Sequence, residues 1–212
     1  MKIGVINYGA GNIGSVMGAL REIGETPLEI KKAFELKTVD YLILPGVGHF
    51  AACAKILHRD GWVEELSDQV LNAKKPILGI CLGMQLLAGS SEEGFEEKKP
   101  VHGLNFISGK VCHLSTLGCA HRIPHVGWNS TSYQDPETPV FDGIREDTDF
   151  YFVHSYAFVL ENQNEIAAYT MYGVKISAAV RKNHIWGTQF HPEKSSRAGL
   201  RLLKNFLNLS SC

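Results

Sequence analysis

The sequence predicts an α/β fold with a central, mostly parallel sheet, helices on both faces, and a smaller antiparallel sheet. In the first half, short apolar runs alternate with amphipathic stretches, which is typical of parallel strands joined by helices. Beyond Gly103, short aromatic and β-branched runs follow one another between turn residues, which indicates strands in hairpins. A chain of 212 residues is within the range of one α/β domain, so residues 1–212 are predicted to form a single domain.

The first predicted elements are a strand, a turn and a helix. Residues 2–7 form a short β-branched run, glycines follow, and apolar residues then recur at helical spacing as far as Gly24. Two further buried strands are predicted at residues 40–46 and 76–80. The stretches between these two strands that have helical periodicity are residues 51–57 and residues 62–73.

The second half is predicted to contain six strands and one final helix. The strands are predicted at residues 106–114, 126–133, 149–156, 165–172, 175–180 and 185–190. The helix covers about residues 196–209, where Leu200, Leu203 and Phe206 share one face. Residues 90–100 are the most polar stretch and are predicted to be the most mobile.

Charge and composition narrow the class of partner and the compartment. Lysine and arginine number 21 against 22 acidic residues, which gives no electrostatic reason to expect nucleic acid or an anionic membrane. The first apolar run is too short for a signal peptide or a spanning helix, so a cytoplasmic chain is expected. An odd number of scattered cysteines indicates reduced thiols rather than disulfides. They are Cys53, Cys81, Cys112, Cys119 and Cys212.

The stretch GICLG, residues 79–83, has the form of a nucleophile elbow between a predicted strand and a predicted helix. Gly79 and Gly83 remove side chains that would collide in so tight a bend. A thiol at Cys81 would lie at a helix N-terminus, which favours the thiolate that attacks carbonyl carbons. A buried, unreactive cysteine is the alternative, but the order strand, glycine, thiol, glycine and helix favours a nucleophile.

The best candidate for the base is His191 in the stretch GTQFHPEKSS. A thiol nucleophile requires a base within hydrogen-bond reach and a group that orients this base. Glu193 follows two residues later, where its carboxylate could hold the second nitrogen of the imidazole. Taken alone, these two residues could be a surface histidine and an acidic residue in the first turn of a helix.

The loop Gly46, Val47 and Gly48 follows a predicted parallel strand. Ligands of open α/β sheets bind at the carboxyl ends of such strands. This loop could therefore lend a second oxyanion donor, or it could be an ordinary turn between strand and helix.

Two other patterns in the sequence indicate different chemistries. Gly9, Gly11 and Gly14 match the G-x-G-x-x-G pattern, with Glu29 about 20 residues later, as in dinucleotide-binding proteins. Three glycines are a weak signal, and nothing later in the chain indicates a hydride-transfer site. A cluster of possible zinc ligands lacks any common spacing. It consists of Cys112, His113, Cys119, His121 and His125.

Six motifs in the same order resemble those of the class I glutamine amidotransferases, and within them the glutaminase subunits of imidazole glycerol phosphate synthases. These motifs are PGVGHF, GICLGMQLL, PHVGWN, YFVHSY, SAAV and FHPEKSS. The resemblance covers about residues 2–209 and implies a flavodoxin-like class I glutamine amidotransferase fold. It also implies hydrolysis of glutamine to glutamate and ammonia through a glutamyl thioester, without a cofactor or a metal.

The resemblance assigns roles residue by residue. It makes Cys81 the nucleophile, His191 the proton carrier and Glu193 the group that orients His191. Val47 and Leu82 match the oxyanion donors, with Gly48 in the same loop. The remaining positions that match glutamine-binding residues of the family are Gln85, Glu93, Ser155 and Tyr156.

The resemblance also implies a protein partner, a (β/α)₈-barrel cyclase subunit that forms a heterodimer with the chain and receives the ammonia for histidine biosynthesis. Asn12, Trp128 and Lys194 match positions at or near that interface. The cysteines and histidines between Cys112 and Pro124 leave a second reading open, in which the same reaction supplies another synthase, such as one that acts on surface sugars. A regulatory relative without activity would belong to a third class, which the intact set Cys81, His191 and Glu193 disfavours.

Overall fold

The structure is a computed structural model and describes residues 1–96 and 99–209. The strands within these residues are β1 (Ile3–Ile6), β2 (Leu28–Ile30), β3 (Tyr41–Gly46), β4 (Ile77–Cys81), β5 (Ser90–Glu96), β6 (Lys99–His102), β7 (Gly109–His113), β8 (His125–Tyr133), β9 (Thr148–His154), β10 (Tyr156–Leu160), β11 (Ile166–Tyr172), β12 (Val174–Lys182) and β13 (Ile185–Thr188). The α-helices are α1 (Ile13–Glu22), α2 (Phe50–Arg59), α3 (Trp62–Ser67), α4 (Leu82–Leu86) and α5 (Ser196–Leu207). Cys212 lies outside the described residues.

The larger sheet has the strand order β2-β1-β3-β4-β13-β12-β11-β8-β9. Its pairs are parallel from β2 through β13 and antiparallel from β13 through β9. The predicted α/β class is therefore confirmed, with a sheet that is mixed because the strands of the second half join its edge. This arrangement places β4 inside the parallel part, with β3 on one side and β13 on the other.

Helices cover both faces of this sheet, as the alternation of the sequence predicts. On one face, α2 and α3 pack over the sheet through Phe50, Leu57 and Leu66. On the other face, α1 and α5 contribute Leu20 and Phe206 to a second buried cluster. Because β4 is buried on both sides along its whole length, its sequence is apolar without the alternation of a half-exposed strand.

The smaller sheet has the order β10-β7-β5-β6. It is antiparallel except between β5 and β7, which run parallel. Residues 90–100, which were predicted to be the most mobile stretch, contain β5 and the start of β6. Residues 97 and 98 lie outside the described residues. Ser91 pairs with both Val101 and Val111. Pairing with strands from later in the chain therefore holds β5 in place, although its own polar sequence does not predict a strand.

Within residues 1–96 and 99–209, no helix is long and apolar enough to cross a membrane.

Candidate active site

The nucleophile elbow predicted at Cys81 is present in the backbone. Strand β4 ends at Cys81, and α4 begins at the next residue. Cys81 has φ 55° and ψ −110°, a conformation that costs energy for any residue with a Cβ. The chain therefore turns sharply at the residue that carries the thiol, and this side chain lies at the carboxyl end of β4, an interior strand of the sheet.

Three glycines allow the elbow to sit against β3. A Cβ atom on Gly83 would overlap the carbonyl oxygen of Leu44, and one on Gly79 would lie 2.6 Å from the carbonyl oxygen of Gly83. A Cβ atom on Gly46 would lie 2.5 Å from the backbone nitrogen of Gly83. Backbone therefore packs directly against backbone here, and no side chain can move aside to make room.

We expect Gly83→Ala to destabilise the protein by about 4 kcal/mol or more, or to prevent folding, because the added methyl group meets fixed backbone. Gly18→Ala is the matched control, since a Cβ at Gly18 in α1 would meet nothing within 4 Å and alanine favours a helix. Thermal unfolding of both variants measures the difference. A Gly83→Ala protein as stable as Gly18→Ala would contradict the packing described here.

His191 and Glu193 form a buried pair, as their spacing predicts. Nδ1 of His191 lies 2.8 Å from Oε1 of Glu193, and the two side chains are only 2% and 1% exposed. A short helical turn, Pro192–Lys194, brings the carboxylate back under the imidazole. With Nδ1 donating to Glu193, the nitrogen left to exchange a proton is Nε2, which has no hydrogen-bond partner among the described residues.

The charge state of His191 follows from its two neighbours. Burial lowers its pKa, but interactions with the Cys81 side chain and with Glu193 outweigh burial and raise the pKa to about 9. Cys81 and His191 border the same cavity, which brings the thiol and the imidazole to one site. A positively charged imidazole beside the sulfur is the arrangement that supports a thiolate nucleophile.

Gln189 also contacts the sulfur, and the sequence analysis did not identify it. Its Nε2 lies 3.7 Å from Sγ of Cys81, while its Oε1 accepts a 2.9 Å hydrogen bond from Nε2 of Gln85. Gln189 is fully buried. Its position two residues before His191 in the stretch GTQFHPEKSS was the only sequence signal that could have suggested it.

A cavity of about 430 Å³ opens beside Cys81. It brings together all the residues predicted to bind substrate with two of the three predicted catalytic residues. Those lining it are Val47, Gly48, Cys81, Leu82, Gln85, Glu93, Ser155, Tyr156 and His191, together with Pro124, Val153 and His154, which were not predicted. Glu193 does not line the cavity but lies behind His191.

Two cavity residues, Glu93 and Val47, contact residues of α2. Oε2 of Glu93 accepts a 2.7 Å hydrogen bond from the backbone N–H of Phe50, at the start of α2. The carbonyl oxygen of Val47 lies 3.9 Å from Sγ of Cys53. These contacts link Glu93 and the predicted oxyanion loop at Val47 to α2.

The three residues predicted for an interface, Asn12, Trp128 and Lys194, do not line the cavity. The rings of Trp128 and Tyr151 contact edge to face at 6.0 Å, and Nζ of Lys194 lies 5.9 Å from the centre of the Tyr151 ring. Trp128 is 52% exposed. Asn12 precedes α1, which packs against the turn that carries Lys194.

The residues of the zinc alternative have other partners. His125 bonds to His154, Cys119 to the carbonyl oxygen of Tyr172, and His113 to Ser115. In the part of the chain that the structure describes, no three histidine, cysteine or acidic residues are grouped to hold a metal ion.

Glu29, the acidic residue of the dinucleotide-like pattern, lies in β2 and accepts a 2.6 Å hydrogen bond from Nδ2 of Asn7. The carboxylate that a ribose would require therefore already binds a neighbouring side chain. This contact gives Glu29 a structural role at the end of β1 and β2.

Comparison with known proteins fits this geometry. The sequence model of the family described as "Glutamine amidotransferase class-I" matches residues 5–209. The chain is 38% identical to imidazole glycerol phosphate synthase subunit HisH of Pelagibacter ubique over 99% of this chain and all of that one. It is 44% identical to subunit HisH 1 of Campylobacter jejuni over 98% of this chain and all of that one.

The fold comparison agrees with the sequence comparison. A solved structure described as a glutamine amidotransferase superposes with a TM-score of 0.74, covering 97% of this chain and 96% of the other at 21% identity. The elbow, the buried His191–Glu193 pair and the match over nearly the whole sequence agree with one another, and the chain belongs to the class I glutamine amidotransferase family.

Proposed function

We propose that the chain is the glutaminase subunit of an imidazole glycerol phosphate synthase and hydrolyses glutamine to glutamate and ammonia. The observation that carries this proposal is the single cavity where Cys81 and His191 meet the residues expected to bind glutamine. Relatives that bear the name of this subunit at 38% and 44% identity support the choice of synthase.

In the proposed mechanism, Sγ of Cys81 attacks the carbon of the glutamine side-chain amide. The backbone N–H of Leu82 at the start of α4 stabilises the oxyanion, with Val47 as the second donor. Nε2 of His191 delivers a proton to the departing nitrogen, so ammonia leaves and a glutamyl thioester remains on Cys81. Water then attacks the thioester, returns a proton to His191 and releases glutamate.

Glutamine itself is the ligand that the cavity suits. The free α-ammonium group of glutamine needs acceptors, and Glu93 can supply the Oε1 oxygen that Phe50 does not use. Gln85 and the main chain at Ser155 and Tyr156 also line the cavity and can orient the rest of the substrate. A volume of about 430 Å³ is within the range of small-molecule sites.

An exposed apolar surface beside the cavity supports a protein partner. We call it the docking face and define it as Val126, Trp128, Tyr151, Val153 and Lys194. Val126 pairs with Val153 across β8 and β9, and Trp128 pairs with Tyr151. Val126, Trp128 and Val153 are 55%, 52% and 36% exposed, and exposed apolar groups of this kind mark interaction sites.

The proposed partner is the (β/α)₈-barrel cyclase subunit, bound as a heterodimer. Val153 belongs to both the docking face and the cavity wall, so a partner on this face would lie next to the site where ammonia is released. Ammonia could then enter the partner without passing through solvent. Asn12 and Lys194 are proposed to extend the contact on the side of α1.

We also propose that residues 1–212 act as one domain in the cytoplasm. The family match across residues 5–209 supports a single domain. The cysteines in the described part of the chain, Cys53, Cys81, Cys112 and Cys119, are all unpaired, which suits a reducing compartment.

The segment between Cys112 and Pro124, whose cysteines and histidines suggested a different synthase as the acceptor of ammonia, does not favour that alternative. Cys112 and Cys119 are buried, and Cys119 packs with Leu114 and Ile176 in a small apolar cluster. The unusual composition of this segment thus has a structural reason that is independent of the acceptor.

The test is to measure glutamate release by the chain alone and with the cyclase subunit. We expect the partner to stimulate release and Trp128→Asp to weaken the apparent affinity for the partner about tenfold or more, since exposed tryptophans often dominate interfaces. Leu28→Asp is the matched control, because Leu28 is 43% exposed on the opposite edge of the sheet. No glutamate release with this partner, or stimulation only by another synthase, would refute the proposal.

A further inference from the structure

Two buried histidines outside the proposed catalytic residues connect the surface of β8 with the cavity. Nδ1 of His125 lies 3.0 Å from Nε2 of His154, and Nδ1 of His154 lies 2.8 Å from the carbonyl oxygen of Tyr156. At the outer end, Nδ2 of Asn129 lies 3.3 Å from Nε2 of His125. Both histidines are buried, at 2% and 6% exposure.

The groups at the two ends of this series of hydrogen bonds, Tyr156 and Asn129, fix the direction of every hydrogen bond in the series. The carbonyl oxygen of Tyr156 can only accept, so Nδ1 of His154 donates and its Nε2 is left to accept from Nδ1 of His125. Nε2 of His125 then accepts from the amide of Asn129. Asn129 is itself oriented, because its Nδ2 also donates to the carbonyl oxygen of Met171 at 3.0 Å.

Only one protonation state satisfies these contacts. Each imidazole carries its proton on Nδ1 and is neutral, since a second proton on either ring would place two donors face to face. Burial lowers the pKa of His125 to about 4 and that of His154 to about 3, and the charge of His191 also lowers the pKa of His154. The ring of His125 is stacked between Phe152 and Tyr172, so it cannot turn over easily.

At its inner end, the series of hydrogen bonds reaches Tyr156, which lines the cavity. The carbonyl oxygen of Tyr156 accepts a second hydrogen bond, at 3.0 Å, from Nε2 of Gln85, and the same nitrogen donates to Gln189. Both N–H groups of Gln85 are therefore committed, and its Oε1 is the atom that can accept a hydrogen bond from a ligand. Gln189 in turn contacts the sulfur of Cys81.

We propose that His125 and His154 are positioning residues for glutamine hydrolysis, which together hold the carbonyl of Tyr156 and thereby set the orientation of Gln85 in the cavity. This inference rests on the proposed function for its substrate. It assigns a role to His125, the first residue of the segment HVGWN, and to His154, and both act through Tyr156 and Gln85 rather than on the reacting atoms.

Asn129→Asp tests the proposal without altering the cavity. A carboxylate cannot donate to Nε2 of His125 and instead attracts a proton there. Because burial disfavours a charged imidazole at this position, His125 moves its proton from Nδ1 to Nε2. Nδ1 of His125 would then accept from His154, and neutral His154 would lose its bond to Tyr156. Asn129→Ala is the matched control, because it removes the outer bond but leaves the direction of the others unchanged.

We expect Asn129→Asp to raise KM for glutamine about tenfold, the equivalent of one hydrogen bond, with a smaller change in kcat. Asn129→Ala is expected to change KM less than about threefold. Equal KM values for the two variants, in proteins of equal thermal stability, would overturn the positioning role.

A second measurement does not depend on activity. Long-range ¹H–¹⁵N NMR spectra of the wild-type chain at pH 7 should show both rings neutral with the proton on Nδ1. An Nε2–H tautomer or a charged ring at either position would overturn the proposal even if glutamine is hydrolysed. Wild-type protein that shows these tautomers but never hydrolyses glutamine with its partner would refute the proposed function instead.

Discussion

Replacing Cys81 with alanine is expected to lower kcat for glutamine hydrolysis by a factor of about 10³ or more, since loss of a nucleophile removes the whole covalent route. The fold should survive. Alanine is smaller than cysteine and meets the same backbone conformation, and the contacts of the thiol to Val153 and Gln189 are long, at 3.7 Å each. Glutamate release in the complex with the cyclase subunit measures the loss, and circular dichroism checks the fold.

Cys112→Ala is the matched control for this substitution. Cys112 is also a buried thiol, but it lies in β7 of the smaller sheet and does not line the cavity. We expect its kcat to stay within about twofold of the wild type, as for substitutions away from a site. A Cys81→Ala protein that releases glutamate as fast as the Cys112→Ala protein would rule out Cys81 as the nucleophile.

Replacing Glu193 with glutamine should reduce kcat by about 10²- to 10⁴-fold, because a neutral amide neither fixes the tautomer of His191 nor stabilises its charged form. Without the carboxylate, burial acts on His191 with less opposition, so the pKa of His191 falls below its present value of about 9. The decline in rate at alkaline pH, where His191 loses its proton, should therefore begin at lower pH. The pH dependence of kcat/KM measures this shift.

The same pair predicts how stability depends on pH. With its pKa raised above the ordinary 6.5, charged His191 stabilises the folded state fully below about pH 6.5 and loses this effect as the pH rises to about 9. Glu193→Gln should therefore lower the melting temperature more at pH 6 than at pH 9. An equal loss at both values, with an unchanged rate profile, would contradict the ion pair.

The central part of the fold and the elbow could be predicted because their signals are local. An apolar run, two glycines and a thiol in the order of residues 76–83 specify the strand, the bend and the helix that follows. The short strand β2 and the polar strand β5 were missed, since both depend on pairing with distant segments rather than on their own sequence. The family match confirmed the class of protein, while the roles of individual site residues remain predictions.

The supporting residues of the site were harder to predict than the reacting groups. Gln189 and Cys81 are 108 positions apart, and no spacing rule joins them. His125 and His154 are likewise paired across two strands. Such contacts depend on register and on the direction of side chains, which a single sequence specifies only after the sheet has formed.

The central claim is that the sulfur of Cys81 is the atom that attacks the amide of glutamine. Its most direct test is to treat the complex with an electrophilic analogue of glutamine and to locate the adduct by mass spectrometry of peptides. The predicted result is one adduct per chain, on Cys81, that excess glutamine prevents. An adduct on another cysteine with Cys81 unmodified, or no adduct in a complex that still hydrolyses glutamine, would contradict the account.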